Sequence, residues 1–279
     1  MKNVLTRLIT GILYIAVIVG AVFMGGWFFW GLTILFGILG LNEFIRISNK
    51  NFVSNTTRLL DLIGGILFLT AMSPAPVTYM TSTSSTMLFL ALYLAYFILR
   101  FVCQLYVQDG NPLTHLAHSL MGQIYVILPL GALSFMYKAY GLYVILAMFI
   151  LIWLSDTGAF CVGSLMGRHK LFERISPKKS WEGFFGGLIF CLAASAGFYF
   201  YGSEMFSGMS LWQLLGMGAV VCVFGTWGDL VESMIKRALG VKDSGNLLPG
   251  HGGILDRIDS LLLVTPALLL YLLAINWLA

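Results

Sequence analysis

The sequence predicts an all-α polytopic integral membrane protein, with about nine transmembrane helices and a polar active site facing the cytoplasm. Three observations predict it. The 279 residues are 59% hydrophobic and only 10% charged, with a mean hydropathy of +0.90, more apolar surface than a soluble domain of this length can bury. The apolar residues fall in segments of bilayer-spanning length. The charges collect in a few connections between those segments.

The apolar segments are 7–25, 27–45, 59–74, 86–107, 116–137, 141–163, 181–201, 211–228 and 258–278. Each is near the ~20 residues that cross a bilayer as a helix; the third is short and the fourth contains Arg100. The first lacks a small-residue cleavage site and reads as a span. No connection is long enough for a soluble domain and no internal repeat stands out. Residues 1–279 therefore read as a single membrane domain, with N-terminal spans over about 1–140 and a catalytic C-terminal half over about 141–279.

Orientation follows from Lys and Arg. With the N-terminus in the cytoplasm, the even-numbered connections also face inward. They hold Arg46, Lys50 and Arg58, then the basic cluster at 168–179, then Lys236, Arg237, Lys242 and Arg257. Arg100 is expected to snorkel to the same side. Of 16 basic residues only Lys138 lies outside, and the C-terminus is expected outside. The protein is expected in the cell (inner) membrane, with its polar loops cytoplasmic.

The longest polar stretch is 225–260, GTWGDLVESMIKRALGVKDSGNLLPGHGGILDRIDS. Asp229, Glu232, Ser233, Lys236 and Arg237 are three or four residues apart and share a face on a helix. Asp256 and Asp259 share one if a helix restarts after the glycines. Between them, Pro249-Gly250-His251-Gly252-Gly253 is a turn whose glycines permit close backbone approach to a ligand. Carboxylates for a hard cation, Lys and Arg for anions, and a Gly-rich turn together describe a site for a metal-bound phosphate.

Ser155-Asp156-Thr157-Gly158 puts a carboxylate near the cytoplasmic end of an apolar span, a functional candidate. Ser176-Pro177 resembles a helix cap with Pro at the first helical position, setting Lys178, Lys179 and Ser180 near a helix start that suits anions. Glu43 is expected to pair with Arg46 or reach the surface. His115 and His118 have no suitable acid beside them beyond Asp109, so no metal site is expected there. Cys103, Cys161, Cys191 and Cys222 form no CxxC pair and read as packing, without disulfides or zinc. Gly186-Gly187 reads as close helix packing.

Residues 233–259, SMIKRALGVKDSGNLLPGHGGILDRID, closely resemble the signature of the phosphatidate cytidylyltransferase (CDP-diacylglycerol synthase) family. The matching positions are Ser233, Lys236-Arg237, Lys242-Asp243, Gly245, Pro249, His251-Gly252-Gly253 and Asp256-Arg257-Ile258-Asp259. Gly228-Asp229-Leu230 with Glu232, Ser155–Gly158 and Ser176–Gly183 also resemble family segments. The resemblance covers the C-terminal half; the N-terminal half matches only as a set of apolar spans. It implies a magnesium-dependent reaction, with magnesium alone or with a second cation. CTP and phosphatidate give CDP-diacylglycerol and pyrophosphate, catalysed by a polytopic homodimer with no nucleic-acid partner.

On that basis the catalytic group is Asp229, Asp256, Arg257, Lys236, Arg237 and His251. Substrate binding is expected at Asp156, Lys178, Lys179, Ser180, Ser233, Lys242, Asp243, Gly252 and Gly253. Asp229 and Asp256 each sit where a span meets the loop, so if the last two spans pack side by side their carboxylates can converge on the metal. Glu232 and Asp259, one turn on, serve as further ligands or orient the first two. Arg257 is expected to bind phosphate bidentately. The other readings are a CTP-dependent polyprenol kinase, a cytidylyltransferase for another lipid, and a cation-coupled transporter. The long signature disfavours the kinase. A transporter needs its polar groups near the midplane in two repeated halves, whereas here they gather in two loops at one face.

Overall fold

The computed structural model describes residues 2–48, 54–73, 83–108, 110–206, 208–247 and 252–278. The chain is a multi-pass, predominantly helical membrane protein. Its helices are α1 (Lys2–Met24), α2 (Gly26–Ser48), α3 (Asn55–Ala71), α4 (Thr83–Gln104), α5 (Pro112–Gly122), α6 (Leu128–Met166), α7 (Trp181–Gly202), α8 (Leu211–Ala238) and α9 (Leu255–Leu278). A π-helical turn, Gln123–Ile127, joins α5 to α6. Among the described residues six helical runs are long and apolar enough to cross a membrane: Gly26–Ser48, Thr86–Gln104, Pro112–Met166, Trp181–Gly202, Leu211–Ala238 and Leu255–Trp277. The third of these contains a break at Gly141, where φ is 80° and ψ 179°. That φ favours glycine, and it falls at the first residue of the apolar segment 141–163 expected from the sequence.

The chain forms two compact units. One is Met1–Ala139 with Val241–Arg257, and the other is Tyr140–Gly240 with Ile258–Ala279. In the first, α3 packs on α4 and on α2, and α2 also packs on α5. Phe29, Phe36, Leu41, Leu69, Ile127 and Leu130 fill its interior. A buried polar knot lies among them. Arg100 and Asp61, 4% and 3% exposed, meet Nε to Oδ1 at 3.2 Å. Tyr96 Oη donates to the same Asp61 oxygen at 2.8 Å, and Arg100 also donates to Ser119 Oγ and Gln104 Oε1. Arg100 therefore does not snorkel: a carboxylate and two neutral acceptors satisfy it inside the bundle, so its head gains nothing by reaching for water. Outward, α4 shows Leu94, Ile98, Leu99 and Phe101, as a lipid-facing helix should.

In the second unit α7 packs along α8. Small residues also set the approach of α6 to α7. A Cβ on Gly187 would come 2.7 Å from the Ser155 carbonyl oxygen, and one on Gly183 2.8 Å from that of Ala159. The expected close packing at Gly186-Gly187 is present. Cys191 and Cys222 are buried, whereas Cys161 is exposed and Cys103 half-buried.

Two elements differ from the sequence expectation. Residues 176–180 are not the start of a helix. They form strand β2 (Ser176–Ser180), paired antiparallel with β1 (Lys170–Phe172) in a short hairpin. The helix begins at Trp181, and its cap is Ser180, whose Oγ accepts from Gly183 N at 3.2 Å. Pro177 has no N–H for a ladder, and a two-stranded hairpin has only edges, so the strand tolerates it. The second difference is α8, which continues past the apolar segment ending at 228 to Ala238. Its last turns carry the polar face.

Candidate active site

Close helix packing assembles the polar cluster of the second unit. Gly228 of α8 lies against α9: a Cβ there would come 2.7 Å from Asp259 O and 2.9 Å from Ser260 Cα. The missing side chain lets the two backbones nearly touch, and the residues beside them, Asp229 and Asp259, are carried together. Asp259 lies within electrostatic reach of Asp229, Asp156 and Lys179. Lys179, from β2, bridges to α8: its Nζ is 2.8 Å from Asp229 Oδ2 and donates to Thr226 O at 3.2 Å. Ser233 Oγ donates to the other Asp229 oxygen at 3.2 Å. One turn on, Lys236 pairs with the buried carboxylate of Glu232. The helical face expected over 229–237 exists, and its acids are oriented by i,i+4 partners. The nearest base to Asp229, however, comes from the hairpin and not from α8.

The hairpin is fixed to α7 by Glu182. Its carboxylate accepts from Arg168 N and His169 N and lies 2.6 Å from His169 Nδ1. Lys178 is exposed, Lys179 half-buried and Ser180 buried.

The signature loop, 241–257, belongs to the first unit. Asp256, in the first turn of α9, accepts at Oδ2 from Ser244 N (3.0 Å), Ser244 Oγ (2.9 Å) and Gly253 N (2.8 Å). Gly252 has φ 82°, and a Cβ there would come 2.6 Å from Asp256 Oδ2. The turn thus requires glycine on both counts. Lys242, Asp243 and Arg257 are exposed. His251, with Pro249 and Gly250, lies outside the described residues.

Sequence reasoning missed Glu43. It neither pairs with Arg46 nor reaches the surface. At 5% exposed, it accepts from Ser244 Oγ, Ile254 N and Leu255 N at 2.9, 3.0 and 2.9 Å. Main-chain donors two hundred residues away outcompete a local base because they come ready-ordered by the turn. The available signal was a lone carboxylate in an apolar span.

Residues 5–275 match the sequence profile of the cytidylyltransferase family. A protein of Staphylococcus aureus named phosphatidate cytidylyltransferase is 35% identical over 268 residues, 94% of this chain and 96% of that protein. The chain belongs to the cytidylyltransferase family. Proteins with the same name from Staphylococcus haemolyticus and Staphylococcus saprophyticus are 47% and 46% identical over 156 and 163 residues. These matches cover 54% and 57% of this chain, and 57% and 60% of those proteins. The family membership makes the chain a nucleotidyltransferase.

A nucleotidyltransferase handles polyphosphate, so the fit of a hard cation matters. Among the described residues no three of His, Cys, Asp or Glu are grouped closely enough to hold a metal. Asp229 and Asp259 nevertheless bring two carboxylates into electrostatic reach of each other, with Asp156 and Lys179 also within electrostatic reach of Asp259 and Lys179 paired with Asp229. That leaves net negative charge and oxygen donors only. Magnesium commonly takes one or two carboxylates and completes its shell with water and substrate phosphates. The donor set fits a cation that arrives with its nucleotide.

Proposed function

We propose that this chain transfers the cytidylyl group of CTP to phosphatidate, giving CDP-diacylglycerol and pyrophosphate. The observation that carries the proposal is the meeting of Lys179, Asp229 and Asp259 at the glycine-tight seam of α8 and α9. The names of the relatives, one of them aligned over 94% of the chain, supply the substrates.

In this reading a phosphatidate phosphate oxygen attacks the α-phosphorus of CTP, and the bond to the β-phosphate oxygen breaks. Both reactants are polyanions, so the site has to lower their repulsion and stabilise charge on the transferring group. Magnesium, when bound at Asp229 and Asp259, supplies charge neutralisation and Lewis acidity at the phosphates. Lys179 offers its ammonium to phosphate from a position set by Asp229 and Thr226. Glu232 orients Lys236. Lys178, Arg237, Lys242 and Arg257 are exposed and open to phosphate, with Arg257 suited to a bidentate grip. For Asp256 the metal role expected from the sequence is kept as a proposal, and Asp256→Asn tests it separately. Asp156, Ser180, Ser233, Asp243, Gly252 and Gly253 are kept as substrate-side residues on the same terms, as is His251.

The proposal extends to the setting: nine crossings, the N-terminus and both polar loops in the cytoplasm where CTP is, the cell membrane as location, and a homodimer. Purified protein given labelled CTP, magnesium and phosphatidate should yield one CDP-lipid per pyrophosphate. Release of CDP with a newly phosphorylated lipid would instead identify a kinase, and no lipid product of either kind would end the proposal.

A further inference from the structure

We propose that Glu43, in the N-terminal part of the chain, is a positioning residue for the signature loop. Its carboxylate fixes Ser244, Ile254 and Leu255 and thereby the presentation of Asp256 and Arg257. The inference rests on the cytidylyltransferase reading for what the loop does, and on geometry alone for how the loop is held.

The argument begins with the start of α9. The first N–H groups of a helix lack intrahelical acceptors, and the residue before the helix normally supplies one from a Ser, Thr, Asp or Asn side chain. Here that residue is Ile254, which has no polar atom. The acceptor comes from another helix. Glu43 Oε1 takes Ile254 N at 3.0 Å, and Oε2 takes Leu255 N at 2.9 Å. A carboxylate at this end also complements the helix dipole, and bonds to an ionised acceptor are the stronger kind.

Ser244 extends the grip across the loop. Its Oγ lies 2.9 Å from Glu43 Oε2 and 2.9 Å from Asp256 Oδ2, so one hydroxyl, with a single proton to donate, sits between the two carboxylates. Asp256 in turn holds Gly253 N. The loop is shaped around the carboxylate. A Cβ on Gly245 would come 2.7 Å from Glu43 Oε1, and one on Gly253 would strike both Glu43 and Ser244. Glycine stands at both places because Glu43 occupies the space. A buried acid serving only to hold helices together would need no such fitting of a remote glycine-rich turn.

The test uses full-length protein in detergent, with two readouts. Glu43→Gln keeps the shape but sets an amide N–H₂ against one of two main-chain donors. Amide exchange at Ile254 and Leu255 should rise at least about tenfold while exchange in α4 stays unchanged, the consequence of losing a charge-assisted bond. With labelled CTP, kcat should fall at least about tenfold and KM for CTP should move less than about threefold, the pattern of a misplaced reacting group. Glu43→Asp, which keeps the charge, should recover part of kcat. Gly253→Ala, which crowds the carboxylate from the other side, should reproduce both effects. If Glu43→Gln is not recovered folded, Ser244→Ala and Gly253→Ala read the same two quantities. Unchanged exchange at Ile254 and Leu255 overturns the proposal, as does faster exchange with wild-type kcat. If the unsubstituted protein makes no CDP-lipid, the functional reading has failed, and the exchange arm still decides whether Glu43 holds the loop.

Discussion

Asp229 is held from both sides, with Lys179 on one carboxylate oxygen and Ser233 on the other. Asp229→Asn keeps size and an acceptor for Ser233 but removes the charge. Turnover is expected to fall at least about a hundredfold, the scale of losing an electrostatic stabiliser of transferring phosphate, while the protein stays folded in detergent. Near wild-type turnover at low magnesium would remove the metal role. Arg257, exposed at the start of α9, calls for a different substitution. Arg257→Lys keeps the charge and loses the planar fork, so turnover should drop by about tenfold. Full activity in that variant would leave simple charge neutralisation as its only role.

At the scale of elements, one close helix contact in each unit is open to test. Gly228 lets α8 approach α9 to backbone contact. Gly228→Ala should therefore cost about 1–3 kcal/mol through overpacking, seen as a lower unfolding temperature, and should reduce turnover by separating Asp229 from Asp259. An unchanged melting profile would mean that the seam can give way freely. In the first unit, α3 and α4 are joined by the buried Asp61–Arg100 pair. Arg100→Met strands a buried carboxylate, and about 3–5 kcal/mol should be lost. The double variant Asp61→Leu with Arg100→Met should recover much of it, because it is the unpaired charge that costs stability. Denaturant titration of the two variants separates these cases; equal losses would point to packing instead.

For the whole molecule, the placement of the basic residues predicts the side of the membrane on which the chain ends. A reporter fused after Ala279 should behave as non-cytoplasmic, since in the proposed orientation only Lys138 of the 16 basic residues falls in an outward connection. A cytoplasmic signal from an active fusion would remove the nine-crossing arrangement. Hydropathy alone places some helices to within a few residues, as with 59–74 against Asn55–Ala71, but it divides the continuous run Pro112–Met166 into two segments. It ends α8 ten residues early, because Asp229 to Arg237 are polar yet helical. The window that finds a membrane span reads polarity, whereas a helix leaving the membrane continues for as long as its backbone bonds do.

The sequence by itself determined the membrane class and the family. These are written in composition and in an ordered run of residues, both of which are local. It also determined that Asp229, Glu232, Ser233 and Lys236 share a helix face, since 3.6 residues per turn requires it. Only the tertiary structure decided which groups meet across the chain. Lys179 reaches Asp229 because a hairpin, not a helix, precedes Trp181. Asp259 reaches Asp229 because Gly228 brings two backbones together. Glu43 caps α9 because Ile254 cannot, through bonds that span more than two hundred residues. Such pairings depend on how helices pack in three dimensions, and no periodicity or spacing along the chain encodes the partner.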